Sequence, residues 1–180
     1  MELVLSSQDT LENFPEIHTS RLLIRALNGD DAEDLQKLTN HPQITGIVHF
    51  LPTPFTVVDA RKLIAGAADG RDKFIGVWIQ GHDNMVAVIG THLHNENEIE
   101  VGYWVHPGQQ RKGIARDSVT ALIMRLAEIF PKCQIIAECH PGNQPSWQLL
   151  EKLGFRATTE LGQRPGRYRF IWKGKISEEI

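Results

Sequence analysis

The stretch YWVHPGQQRKGIARDSVTALIMRL, Tyr103 to Leu126, decides how this chain is read. It begins as a strand-like run, breaks at His106-Pro107-Gly108, and passes through a basic turn that ends at Gly113. Beyond Gly113 the apolar residues Ala115, Val119, Leu122, Leu126 and Ile129 recur on one face of a long helix. A helix start presents unpaired N–H groups and the positive end of the helix dipole, and a phosphate placed there satisfies both. Gly113 and Ala115 are small enough to let an anion reach the backbone, and Arg111, Lys112 and Arg116 add positive charge around it. The turn reads as a site for a pyrophosphate or a similar anion.

Two common phosphate loops do not fit. The segment lacks the spaced glycine and the Lys-Ser/Thr of a P-loop, and no GxGxxG occurs in the chain. The strand before the turn also follows two hairpin-linked strands, which is not βαβ order.

Working outward, Arg21 to Leu27 reads as a first strand, with Asp30 and Asp31 placed to cap a helix over DAEDLQKLTN that Pro42 stops. The loop HPQITGIVHFLPTPF leads to a second helix over Val57 to Ala68, where Thr56 and Asp59 have capping-box spacing. KFIGVWIQ, MVAVIGTHLH and EIEVGYWVH follow as a meander joined by the turns GHDN and NEN. After the long helix, QIIAECH is a buried strand, PSWQLLEKLG a short helix ending at Gly154, and FRATTEL with GRYRFIWK a closing hairpin. The order is β-α-α-β-β-β-α-β-α-β-β, an α/β (α+β) layer fold whose mixed, mostly antiparallel sheet is flanked by helices.

Gln110-Arg111-Lys112-Gly113-Ile114-Ala115 resembles the acetyl-CoA signature Gln/Arg-x-x-Gly-x-Gly/Ala of the GNAT N-acetyltransferase superfamily. EVGYWVHPGQQRKGIA resembles that family's whole strand-loop-helix unit, and Asn143 to Ser146 followed by LLEKLGF resembles its second motif. The opening HTSRLLIRALNGDDAEDLQKL is similar to the start of the ribosomal-protein alanine N-acetyltransferase branch. The resemblance covers roughly residues 17 to 174 and implies a single GNAT-like domain over residues 1–180.

The resemblance also implies roles. The backbone amides of Arg111, Lys112, Gly113, Ile114 and Ala115 hold the pyrophosphate of acetyl-CoA, with Gln110 opening the loop and Arg116 adding charge. The splayed end of the strand, Trp104, Val105 and His106, pairs with the pantetheine arm, and Asn143 contacts it from the far side. Many family members carry a tyrosine as the acid for the departing thiolate where this chain has Leu150. The ribosomal-type branch uses a serine at the Ser146 position instead, and a hydroxyl near the sulfur is what that step needs.

Glu100 alternates onto the face of Gly102 and Trp104, where a carboxylate could take the ammonium proton directly or through water. His92 and His94 share one face of the neighbouring strand and are alternative bases. Neither His92-x-His94 nor Cys133…Cys139-His140 has zinc spacing, so no metal is expected. Trp78, Trp104, Trp147 and Trp172 read as core or pocket wall.

Bulk properties agree with one globular domain. The chain has 180 residues, 41% hydrophobic and 23% charged, and a net charge of -3 without long blocks of like charge. That balance argues against nucleic-acid and membrane partners. No apolar run approaches membrane-spanning length, and the acidic N-terminus does not read as a signal peptide. Cys133 and Cys139 lie in one strand run roughly 20 Å apart, so they read as buried thiols of a cytoplasmic protein. The expected function is acetyl transfer from acetyl-CoA to a primary amine, a protein N-terminus or a small amine, by direct attack. The alternative is a non-catalytic CoA-binding sensor or structural module. Whether the chain forms a homodimer is left open.

Overall fold

In the computed structural model, which describes residues 10–66, 69–95 and 97–174, the chain begins with β1 (Ile17–His18) and β2 (Leu22–Ala26). Then come α1 (Ala32–Thr39), a short α2 (Pro42–Thr45) and α3 (Val57–Ala65). The meander is β3 (Asp72–Ile79), β4 (Met85–His94) and β5 (Glu98–Val105). It is followed by α4 (Ile114–Ile129), β6 (Gln134–Cys139), α5 (Gln144–Lys152), β7 (Phe155–Leu161) and β8 (Tyr168–Trp172). The expected order is obtained with two additions, the two-residue β1 and the single-turn α2.

The strands form one eight-stranded sheet in the order β1-β2-β3-β4-β5-β6-β8-β7. Every pairing is antiparallel except β5 with β6. The alternation of apolar side chains divides them between two faces. Leu22, Ile24, Val77, Ile89, Ile99 and Val101 pack with Val119, Leu122 and Leu126 of α4 in the larger core. On the other face Phe74, Val88 and Trp104 pack with Leu35 and Leu38 of α1 and Ala60 of α3. Trp78 and Trp104 belong to this second core, and Trp147 and Trp172 lie half-buried against the first.

Helix ends follow the local chemistry, with some corrections. Asp30 and Asp31 were expected to cap α1. Instead Asn28 caps a 3-10 turn over Gly29–Asp31, and Asp31 supplies the returning half of a capping box. Buried Asp31 also binds Arg25 at 2.8 Å, which is why it faces inward. The α1 helix ends at Thr39, and Pro42 starts α2 rather than stopping α1, as suits a residue with no N–H to lose in a first turn. Thr56 and Asp59 do form a capping box on α3, which closes at Gly66; residues 67–68 of the expected helix lie outside the described residues.

The buried face of α4 is Ile114, Ser118, Val119, Leu122, Ile123 and Leu126, displaced by one position at its start from the expected stripe beginning at Ala115. Ser118 is tolerated there because its hydroxyl donates to the Ile114 carbonyl at 2.7 Å. Gly154 ends α5 at φ 90, a conformation glycine adopts without strain. Cys139 closes β6 as a buried thiol, Cys133 precedes the strand, and no disulfide joins them. No helix among the described residues is long and apolar enough to cross a membrane.

Candidate active site

The site begins where the sheet comes apart. β5 pairs with β6 only at Glu98–Gln134, Ile99–Ile135 and Glu100–Ile136. Beyond Glu100, β5 remains bound to β4 while β6 turns to pair with β8, so the two strands diverge. The His106 N–H donates to the Val86 carbonyl at 2.9 Å. Alternation then directs the backbone of Trp104 and Gly102 toward β4 as well, and that of Val101, Tyr103 and Val105 toward the gap. Of the three residues expected to face the cofactor arm, only Val105 therefore presents its backbone to the open edge.

Its neighbours have structural tasks. The Trp104 indole is buried and donates to Thr39 Oγ1 at 3.1 Å. His106 Nδ1 accepts from the Gly108 N–H at 3.0 Å, and its ring meets His41 edge-on. Burial and His41 together lower the His106 pKa. Gln110 reaches back so that its Nε2 donates to the Val105 carbonyl at 3.2 Å.

The turn after β5 carries the anion-binding features. Gly113 is the N-cap of α4 at φ 77, and no side chain caps the helix. Arg111, at φ 60, also takes the left-handed conformation, a strained choice for a residue with a Cβ. A Cβ on Gly113 would find its nearest neighbour, Arg21 Nη1, at 3.7 Å, so the glycine is set by backbone conformation rather than by crowding. Ile114, Ala115 and Arg116 follow as the uncapped first turn.

The charges of the turn are tied to one another. Lys112 Nζ folds back onto the Gly108 carbonyl at 2.9 Å and Gln109 Oε1 at 3.2 Å. Arg116 Nε bonds Asp117 at 3.2 Å. Arg21, which sequence reasoning left as a strand residue, clamps the turn by donating to the Lys112 carbonyl at 2.6 Å and pairing with Asp117 at 3.4 Å. Only the tertiary fold brings Arg21 here, across 91 positions of sequence.

On the far side of the gap, Asn143 caps α5 by accepting from the Ser146 N–H at 3.4 Å. Ser146 Oγ lies 3.1 Å from Tyr103 Oη, which arrives from β5. Burial pushes the Tyr103 hydroxyl up to about 12, so the phenol keeps its proton. Sequence reasoning missed Tyr103; its alternation on β5 could have placed it facing the gap, but not against Ser146.

A cavity of about 480 Å³ runs from Gln110, Gly113 and Ala115 past Val105 to Asn143 and Ser146. A second, of about 510 Å³, continues from Tyr103 and Ser146 toward Glu100, His92, Arg164 and Arg167. Ile47, Val48, Tyr103, Trp104, Asn143 and Ser146 line both, so the two spaces meet around the Tyr103–Ser146 pair and the loop at Ile47 and Val48.

An acetyltransferase (GNAT) domain family model matches residues 21–156 of this chain. The chain belongs to the GNAT acetyltransferase family. Among curated relatives of this acetyltransferase, YnaD of Bacillus subtilis (strain 168), an uncharacterized N-acetyltransferase, is 28% identical over 143 residues, spanning 78% of this chain and 82% of the relative. A GNAT-family acetyltransferase from Bacillus anthracis superposes with TM-score 0.74 at 25% identity, over 87% of this chain and 97% of that one. RimL, a ribosomal L7/L12 α-N-protein acetyltransferase solved in complex with coenzyme A, superposes with TM-score 0.76 at 18% identity, over 87% of this chain and 96% of that one.

For a GNAT acetyltransferase the first cavity suits acetyl-CoA: an uncapped helix start, a left-handed glycine and an open strand edge line one continuous slot. The polar wall of the second cavity is an ion network. Glu100 is 4% exposed, with Oε1 bonded to Arg164 Nη1 at 2.5 Å and Oε2 to His94 Nε2 at 2.7 Å. Burial opposes its ionisation, but the bond and charge of Arg164 prevail and hold its pKa below the ordinary value. Arg164 also binds Glu138 at 3.1 Å. Both Glu100 oxygens are therefore engaged, which leaves the carboxylate poorly disposed to accept a proton directly. His92 differs: Asp72 binds its Nδ1 at 2.8 Å, the other ring nitrogen has no hydrogen-bond partner among the described residues, and the residue lines the second cavity.

Proposed function

We propose that this GNAT enzyme moves the acetyl group of acetyl-CoA directly to a primary amine held in the cavity beside Glu100 and His92. The observation that carries this reading is the meeting of two cavities at Tyr103 and Ser146, one suited to the cofactor and the other to an acceptor. Arg111, Lys112, Gly113, Ile114 and Ala115 supply backbone N–H groups for the pyrophosphate, with Arg116 and the Arg21 clamp adding positive charge. The N–H groups of Tyr103 and Val105 on the open edge pair with the pantetheine arm, and one of them polarises the thioester carbonyl. Asn143 closes the opposite wall.

His92 takes the proton from the ammonium, with Asp72 fixing the ring, because a neutral amine is needed to attack the carbonyl carbon. Glu100 holds its place through Arg164 and His94 and acts on the acceptor only through water. As the new C–N bond forms and the C–S bond breaks, the nitrogen sheds its second proton to water and the departing sulfur takes a proton from Ser146. Ser146 is reprotonated from solvent, and Tyr103 holds its hydroxyl in place by a hydrogen bond. Transfer passes through no cysteine. Burial pushes the Cys139 thiol up, the Ser146 hydroxyl beside it offsets this only partly, and a protonated thiol is a weak nucleophile.

The opening sequence and the likeness to RimL support a place near the ribosomal-protein branch, with a protein N-terminus as one acceptor class. The test is CoA release from acetyl-CoA with a panel of primary amines and N-terminal peptides, with acetylated product identified by mass. Binding of acetyl-CoA without release for any member would instead establish the CoA-binding sensor.

A further inference from the structure

Arg167 stands apart from the other arginines of the acceptor cavity. It precedes β8 and lines the cavity together with Glu100, Glu138, Arg164 and His92. Among the described residues its side chain makes one hydrogen bond, from Nη2 to the Ile47 carbonyl at 3.1 Å. Its Nε is buried with no hydrogen-bond partner among the described residues, and no carboxylate there pairs with it. The nearby acids are already engaged: Glu100 and Glu138 both bind Arg164. Burial and the adjacent Arg164 push the Arg167 guanidinium below the ordinary arginine value, so its charge is under-compensated where it stands.

With Nε closed off and Nη2 held by Ile47, Nη1 is the guanidinium nitrogen that makes no hydrogen bond among the described residues, and a charged N–H of a cavity-lining arginine suits a carboxylate. We propose that Arg167 binds a carboxylate of the acceptor, so that the substrate class is a primary amine that also carries a carboxylate. This rests on the acetyl-transfer reading and narrows it. A polyamine lacks the group that Arg167 would bind, and Glu100 and Glu138 are both already bonded to Arg164. A cavity of about 510 Å³ accommodates an amino-acid-sized molecule or the first residues of a peptide. The amine would lie toward Tyr103 and Ser146 and the carboxylate toward Arg167, which fixes the orientation of the acceptor.

The experiment compares ω-amino acids of increasing length with their carboxamides, because separating the two groups keeps the amine basicity nearly equal. Peptides with Asp or Asn as second residue form another arm, distinguishing a free amino acid from an acidic N-terminus, and spermidine is the cationic control. At one chain length, or in the Asp peptide, kcat/KM should exceed that of the matching amide by roughly tenfold or more. In Arg167→Met that ratio should fall to about one, and Arg167→Lys should restore part of it. Equal use of acid and amide by the wild type, or an equal loss for both in Arg167→Met, overturns the proposal and returns Arg167 to a tether for Ile47. If no amine releases CoA, acetyl transfer fails as a reading. Calorimetry with the same carboxylates lacking the amine then decides the anion site, supported if binding is lost in Arg167→Met and overturned if wild type and variant bind alike.

Discussion

Tyr103 Oη on β5 and Ser146 Oγ on α5 face each other at 3.1 Å across the gap where β5 and β6 separate. The family's usual tyrosine position is Leu150 here, and that residue is buried in the core. A phenol nonetheless reaches the same region from the opposite wall. Burial holds that phenol protonated, so the pair is a neutral hydroxyl–hydroxyl bond in which either oxygen can donate.

Ser146→Ala should lower kcat by roughly 10²-fold and Tyr103→Phe by roughly tenfold, with KM for acetyl-CoA little changed. Since Tyr103 acts by holding Ser146, the double variant should resemble Ser146→Ala rather than multiply the losses. Steady-state kinetics of the three variants check this. Multiplied losses would separate the two hydroxyls, and wild-type turnover in Ser146→Ala would return it to a helix-start residue.

Gly113→Val should weaken acetyl-CoA binding at least tenfold, about 1.4 kcal/mol. The cause is the φ of 77, which a β-branched residue adopts only with strain, together with a side chain placed at the anion. Calorimetry on folded protein is the measurement. Lys112→Ala should cost less, because its ammonium is exposed and already bound to loop oxygens.

The proton acceptor shows itself in the pH dependence of kcat/KM. The rate should rise with pH as the base loses its proton, and His92→Ala should remove or displace that limb. Asp72→Asn should lower the rate while leaving acetyl-CoA affinity unchanged. Glu100→Gln should keep the limb, because both carboxylate oxygens are engaged in the wild type. The opposite pattern assigns the base to Glu100 through water.

Glu100 also makes stability depend on pH. Its pKa in the folded protein lies below the unfolded value, so it contributes stability above the unfolded value, lost as pH falls through the folded one. Glu100→Gln should therefore melt several degrees lower near neutrality, with Arg164 left to Glu138 alone. It should also lose less of its remaining stability on acidification than the wild type does. Thermal melts of both proteins between neutral and acidic pH test the sign.

Much of this was legible because local pattern and local chemistry agree. Strand alternation gave the meander, and the return of apolar residues after Gly113 gave α4. Thr56 with Asp59, and Gly154, marked helix ends with groups only a few positions away. What escaped the sequence depends on long-range placement. Arg21 meets Lys112 and Asp117 only after β2 is paired and α4 packed. Tyr103 meets Ser146 across 43 positions, and Arg164 meets Glu100 across 64. The ion pair of Glu100 was hidden for the same reason: a strand glutamate in the sequence gives no sign of the arginine that binds it. β1, two residues long, carries too little pattern to signal itself.

The divergence of β5 from β6 also bears on how the chain avoids unwanted association. An unpaired strand edge normally invites another protein's strand to add to it. Here the open N–H groups of Tyr103 and Val105 lie inside the sheet, with β4 on one side and β6 and α5 on the other. The opening narrows to a closed pair at Glu100 and Ile136, so a full-length neighbouring strand cannot extend the ladder there. A slender linear molecule can. The sheet thus keeps reactive hydrogen-bonding backbone available to one shape of visitor while denying it to the shape that leads to aggregation.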